Sequence, residues 1–140
     1  MAKSALSKIG VAIVTVALVC GCAALGKGPS DEELIRTLLE KWKAAGEALD
    51  IEAQFALCSG DFESNHGDEA ATRAFLLEAN EMGYLEDIEI SLDDAEITIE
   101  GNTATVYPIE VETAMAGTTA ELRLTKQATG WVITGMDTGY

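Results

Sequence analysis

The sequence predicts an α+β domain in which helices precede, and pack on one face of, a strongly curved antiparallel sheet. Three observations predict it. Leu34, Ile35, Leu38, Leu39, Trp42, Ala45 and Leu49 recur at three- and four-residue spacing, which is the period of one helical face. From Tyr84 onward the period changes to two, with Ile88, Ile90 and Leu92, and then Ala95, Ile97 and Ile99, alternating with polar residues. Turn signals at Gly101-Asn102, Ala116-Gly117 and Thr129-Gly130 divide that second half into short strands. Helices gathered on one side of such a sheet form the α+β layer arrangement.

Each element has a local justification. Pro29 precedes Ser30-Asp31-Glu32-Glu33, a capping box in which Glu33 reaches back to the Ser30 amide, so the first helix starts sharply. Its three opening acids also complement the positive end of the helix dipole. Asp50 can cap a second helix over Ile51–Cys58, and Asp68 a third over Glu69–Met82, with Ala71, Phe75, Leu76, Ala79 and Met82 offered to the core. Gly83 supplies the stop of that helix. Thr103–Thr113 reads as a long strand interrupted by Pro108, which demands an edge position or a bulge because proline cannot donate to the ladder. Thr119–Lys126 and Trp131–Asp137 complete the sheet.

The N-terminus carries an address. Lys3 and Lys8 precede a continuous apolar run, Ile9–Val19, in the pattern of an export signal. As a helix that run reaches about 16 Å, short of the roughly 30 Å of a bilayer core. Val19-Cys20-Gly21-Cys22 resembles the bacterial lipobox, which implies cleavage after Gly21 and lipidation of Cys22. Bulky Val19 makes Cys20 the poorer candidate. The chain therefore divides into a signal peptide (residues 1–21), the lipidated Cys22 with a short tether (22–29) and one domain (30–140). Two or three acyl chains anchor firmly where one does not. The tether spans roughly 15 Å, so the domain sits close to a membrane. The expected location is the cell envelope, on the outer membrane or the periplasmic face of the inner one.

Composition excludes several classes. The 140 residues carry 24 acids against 9 Lys and Arg, a net charge of −15. Loss of Lys3 and Lys8 with the signal takes it to −17. Nucleic-acid binding needs the opposite balance. Processing removes Cys20 and acylates Cys22, so Cys58 remains as the single thiol, without a disulfide partner and with no flanking cation to activate it. No Cys/His spacing suits zinc, Asp93-Asp94 lacks the alternating pattern of a calcium loop, and Glu63-x-x-His66 has no second histidine. Phosphate loops, dinucleotide fingerprints and nucleophile motifs are absent, and no cofactor is expected.

The stretch Ile35–Leu57, continued by Cys58-Ser59-Gly60-Asp61-Phe62, resembles the opening of nuclear transport factor 2-like and SnoaL-like domains: an amphipathic helix with a Trp, a turn, a short helix and an acid–x–aromatic turn. Gly130-Trp131-Val132-Ile133 is similar to that family's closing strand. The resemblance spans Asp31 to Asp137. It implies a cone-shaped fold enclosing a pocket that is used for isomerisation, cyclisation or dehydration in some members and only for binding or dimerisation in others.

On that frame the candidate catalytic residues are Asp61, His66 and Tyr107. Asp61 or His66 would act as a general base, and Tyr107 as the donor to a developing enolate. The structural alternatives are Asp61 capping a turn and His66 lying solvated in the Ser64–Asp68 loop. Trp42, Phe62, Tyr107, Met115, Trp131 and Met136 are candidates for an apolar pocket, or for plain core. Three readings follow. One is a non-catalytic lipoprotein domain binding a small apolar ligand or an envelope protein. The second is a SnoaL-like isomerase, cyclase or dehydratase. The third is a structural lipoprotein acting as a homodimer through an exposed sheet face.

Overall fold

The structure, a computed structural model, describes residues 28–139. The signal, the lipobox and Cys22 lie outside the described residues. No helix among the described residues is long and apolar enough to cross a membrane.

The expected capping box forms. Ser30 N donates to Glu33 Oε2 (2.7 Å), and Glu33 N donates to Ser30 Oγ (3.2 Å). It starts helix α1, Asp31–Glu47, which buries Ile35, Leu39, Trp42, Ala45 and Gly46 along one stripe. Leu49 follows the helix in the left-handed region (φ 54°). Asp50 then caps α2, Ile51–Phe55, by accepting from Ala53 N at 3.0 Å.

Helix α2 ends earlier than the sequence suggests, because Cys58 already belongs to a strand. β1 (Cys58–Ser64) pairs antiparallel with the two-residue β2 (Gly67–Asp68) and leads into α3 (Glu69–Glu81). β3 (Glu89–Ser91), β4 (Glu96–Glu100), β5 (Thr103–Glu112), β6 (Gly117–Gln127) and β7 (Gly130–Thr138) follow. They form a seven-stranded sheet ordered β2-β1-β7-β6-β5-β3, with β4 also on β5. Its β1–β7 contact is parallel, so the sheet is mixed where the sequence suggested antiparallel throughout. The chain leaves α2 beside the last strand and runs in the same direction, a pairing that no local hairpin signal announces.

Curvature has identifiable causes. Between Val106↔Leu122 and Ile109↔Ala120, Tyr107 and Pro108 together oppose the single residue Glu121. Pro108 therefore sits in a bulge, between the stretches of β5 that pair with β4 and with β3. The extra residue keeps both Val106 and Ile109 turned inward although an odd number separates them, and it bends the strand. A second irregularity lies between Arg123↔Gly135 and Leu124↔Ile133.

The inner face of the curved sheet supplies Phe62, Ile90, Ala104, Val106, Ile109, Ala120, Leu122, Leu124, Trp131 and Ile133 to the core. Helices α1 and α2 cover it with Ile35, Leu39, Trp42, Ile51 and Phe55. Phe55 and Phe62 meet edge to face, with centroids 5.5 Å apart. The outer face is polar. Thr98, Thr105 and Arg123 lie side by side across β4, β5 and β6, and Glu100, Thr103 and Thr125 form the next row.

Candidate functional site

Helix α3 is held at its two ends and little in between. At its start Asp68 Oδ1 accepts from Ala71 N (2.9 Å). Thr72, completely buried, donates to the Asp68 carbonyl (2.8 Å), and its hydroxyl is also 2.6 Å from Ser64 Oγ. Ser64 Oγ in turn accepts from His66 N (3.0 Å). Arg73 ties the helix to α2: it bridges Glu69 (2.6 Å) and Glu52 and lies over the Phe55 ring, 4.8 Å from its centroid. Those two carboxylates hold the guanidinium firmly charged. At the far end Gly83 adopts φ 77°, which lets Tyr84 N close back on the Ala79 carbonyl at 2.9 Å. The turn beyond is fastened to the β5–β6 loop by Ala114 N donating to Glu86 O (2.9 Å).

Among its side chains α3 fully buries only Thr72 and Ala79. Phe75, Leu77, Met82 and the following Tyr84 are each 40–51% exposed. Phe75 and Met82 were expected in the core. They share a stripe, but the stripe lies to one side of the contact line through Thr72, Leu76 and Ala79, so the domain covers it only in part, with the His66 ring stacked on one face of Phe75. The neighbouring loop adds Met115, 68% exposed.

An open cleft of about 710 Å³ is bounded by α1, β3 and the end of β5, with no residue of α3 in its lining. Its walls carry Glu40, Glu47, Glu89, Asp93, Glu110 and Glu112 against the single cation Lys43. Glu47 is spoken for by the fold. It accepts from Lys43 Nζ (2.6 Å) and from Ile90 N (2.9 Å), capping the otherwise unpaired edge of β3. Lys43, and then the Ile90 amide, hold its carboxyl below the usual range. Glu89 and Glu112 stand directly opposite one another in the β3–β5 ladder, a like-charge pairing that costs stability. Among the described residues no group of His, Cys, Asp and Glu has the geometry to hold a metal ion.

The residues proposed for catalysis do not converge. Asp61 is exposed on β1, and Tyr107 is 51% exposed on β5. With β7 and β6 between them, their strands are about 14 Å apart. His66 occupies the β1–β2 turn with its ring stacked on Phe75 (3.9 Å, 12°), and its Nε2 is buried with no hydrogen-bond partner among the described residues. The pocket candidates separate as well. Trp42, Phe62 and Trp131 are members of one contiguous core and fill the space between helices and sheet, and Met136 packs against it. Trp131 Nε1 donates to Asp31 Oδ1 (3.0 Å), which also pairs with Lys126 Nζ (2.8 Å). Tyr107 and Met115 lie on the surface, so neither lines that interior. Burial pushes the Cys58 thiol up to about 12, with the Glu69 carboxylate adding to the effect. Sequence reasoning missed the α3 stripe because spacing identifies which residues share a face and not whether a partner covers it.

In structure the chain is similar to Bd1075 of Bdellovibrio bacteriovorus (14% identity, TM-score 0.64), matching 75% of this chain and only 38% of that one. It is similar to a nuclear transport factor 2-like protein of unknown function from Pseudomonas putida KT2440 (16% identity, TM-score 0.64, 75% of this chain and 82% of that one). It is also similar to a nuclear transport factor 2-like protein with a cystatin-like fold from Novosphingobium aromaticivorans (18% identity, TM-score 0.60, 90% of each chain). The chain has the nuclear transport factor 2-like, cystatin-like fold. No protein-family model and no curated protein matches the sequence. A fold of this kind hosts many activities and names none of them.

Proposed function

We propose that this chain is a lipid-anchored protein of the bacterial cell envelope whose domain works by binding another protein and not by catalysis. The address rests on the lipobox-like Val19-Cys20-Gly21-Cys22 behind an apolar run too short to span a bilayer. The observation that carries the domain's role is the exposed apolar stripe of α3 beside a core already filled by Trp42, Phe62 and Trp131. An acid–base enzyme needs at least two convergent polar groups in a dry cavity, whereas Asp61 and Tyr107 are exposed on strands separated by two others and the His66 ring is stacked on Phe75. A dimer built on the sheet's outer face would need apolar surface there, where the register aligns threonines, Arg123 and carboxylates.

The anchoring test is expression of the full chain in a Gram-negative host, followed by membrane fractionation and intact mass. The expected result is a mature chain beginning at Cys22, heavier by its acyl groups and pelleting with membranes, and a Cys22→Ala chain that does neither. Wild-type chain that remains soluble and unacylated would overturn the reading.

A further inference from the structure

We infer that the Phe75–Met82 side of α3, with Tyr84 and Met115 at its end, docks an amphipathic helix of a partner protein whose apolar face is bordered by Lys or Arg. This deepens the binding role proposed above and rests on it.

Phe75 and Met82 are seven residues apart, two turns of the same helix, and therefore about 10 Å apart along one stripe. Tyr84 follows at the helix stop, and the Ala114–Glu86 hydrogen bond brings Met115 to the same end. Anchors spaced in this way match the i, i+3/i+4, i+7 residues of a helix laid against them. Two of the four are methionines, whose flexible thioethers adapt to a partner's shape. An edge strand would instead offer unpaired backbone groups, and α3 has none along its flank.

Charge selects the partner. Glu78 and Glu81 on α3, and Glu86 and Asp87 in the turn that follows Tyr84, are exposed, and among the described residues none of them forms an ion pair. The one cation on α3, Arg73, is committed to Glu52 and Glu69 on another face. Glu89 and Glu112, opposed in the ladder just beyond, extend the same sign. A second copy of this chain would bring its own carboxylates to meet these. An anionic bilayer would do the same. A helix rimmed by Lys or Arg neutralises them and covers the apolar side chains together.

The test uses the full lipidated chain in nanodiscs of zwitterionic lipid, with binding read by fluorescence anisotropy at 150 mM salt. Three labelled peptides serve as probes: a Leu/Lys amphipathic helix, a scrambled peptide of the same composition without an apolar face, and a Leu/Glu helix with the same apolar face. The Leu/Lys helix is expected to bind at least tenfold more tightly than either other probe. Phe75→Ser with Met82→Ser should weaken it at least tenfold. Glu78→Lys with Glu81→Lys should weaken it at least fivefold, whereas Glu96→Lys with Glu100→Lys, an equal charge change on β4 at the end of β5 remote from the β5–β6 loop, should change it less than twofold. Unfolding midpoints verify that each variant folds, and the two α3 pairs fail independently. Equal binding of the scrambled peptide, equal binding of the Leu/Glu helix, an equal loss in the Glu96/Glu100 variant, or no binding of the Leu/Lys helix overturns the inference. Acylation and membrane association are measured on the same preparation, so a correctly anchored chain that ignores the peptide refutes the docking surface and leaves the anchor standing.

Discussion

Gly46 tests how closely α1 approaches the edge of the sheet. It lies in the last turn of α1, and a Cβ placed there would stand 2.6 Å from Gln54 Nε2 and 2.7 Å from Ile90 Cδ1. Ordinary carbon contacts lie near 3.5–4.0 Å, so Gly46→Ala requires both neighbours to retreat by about 1 Å. Ile90 is 3% exposed in the core and its amide is tied to Glu47, which leaves it little room. Helix propensity acts the other way, favouring Ala by at most about 1 kcal/mol, whereas overpacking costs about 1–3 kcal/mol. The expected net result is a loss of about 1 kcal/mol, read as a thermal midpoint about 4 °C lower by circular dichroism. Ile90→Val removes the clashing Cδ1 and alone costs about 1 kcal/mol. Combined with Gly46→Ala it should recover a coupling of about 1 kcal/mol, so the double variant is no less stable than Ile90→Val. A Gly46→Ala protein that melts higher than wild type, or two changes that simply add, would refute the close approach of α1 to β3.

Further perturbations probe the other contacts. Cys58, with its thiol pushed up to about 12, should react with iodoacetamide at pH 8 about fiftyfold more slowly in the folded protein than in guanidinium. The scarcer thiolate slows it about two-thousandfold, and its greater basicity returns part of that. Asp31 is held below the usual carboxylate range by its hydrogen bond from Lys126, then by that from Trp131. Because its folded pKa lies below the unfolded one, its stabilisation is complete above the ordinary carboxylate pKa and disappears as pH falls through the folded value. Asp31→Asn should therefore melt below wild type at pH 7, and the gap should close below about pH 4. Thr72→Val deletes a buried hydroxyl bound to Ser64 and Asp68 and should cost about 1–3 kcal/mol in urea unfolding.

The parts of the fold that were legible in the sequence are those specified locally. Ser30, Asp50 and Asp68 cap the three helices as read, Gly83 ends the third, and Pro108 sits in a bulge, because each of these acts within a few residues of itself. β1 was not legible. Cys58-Ser59-Gly60-Asp61-Phe62 offers one inward apolar side chain and a glycine, and what makes it a strand is a parallel partner more than seventy residues away. The candidate site was half legible for a related reason. Helical period placed Phe75 and Met82 on one stripe, but their exposure depends on how little of α3 the sheet and α2 reach. Met115 was read as a pocket or core residue and is instead exposed, while Tyr107 and Asp61 were linked by analogy across strands that hold them apart.

The acidity of this chain and the bareness of α3 belong to one argument. An apolar helix flank left open on a small domain invites self-association. Here Glu78, Glu81, Glu86 and Asp87 stand around that flank without ion-pair partners among the described residues, so two copies approaching through α3 bring like charges together before any apolar contact forms. The same carboxylates lengthen the reach of the surface toward a cationic partner, because attraction acts over roughly a Debye length, about 8 Å at physiological salt, and contact burial does not. One set of charges thus serves as a barrier to the wrong partner and a guide to the right one. For a chain anchored at a membrane as proposed, that discrimination is what would permit an exposed apolar stripe to persist, with the unpaired acids placed on α3 and in the turn that follows it.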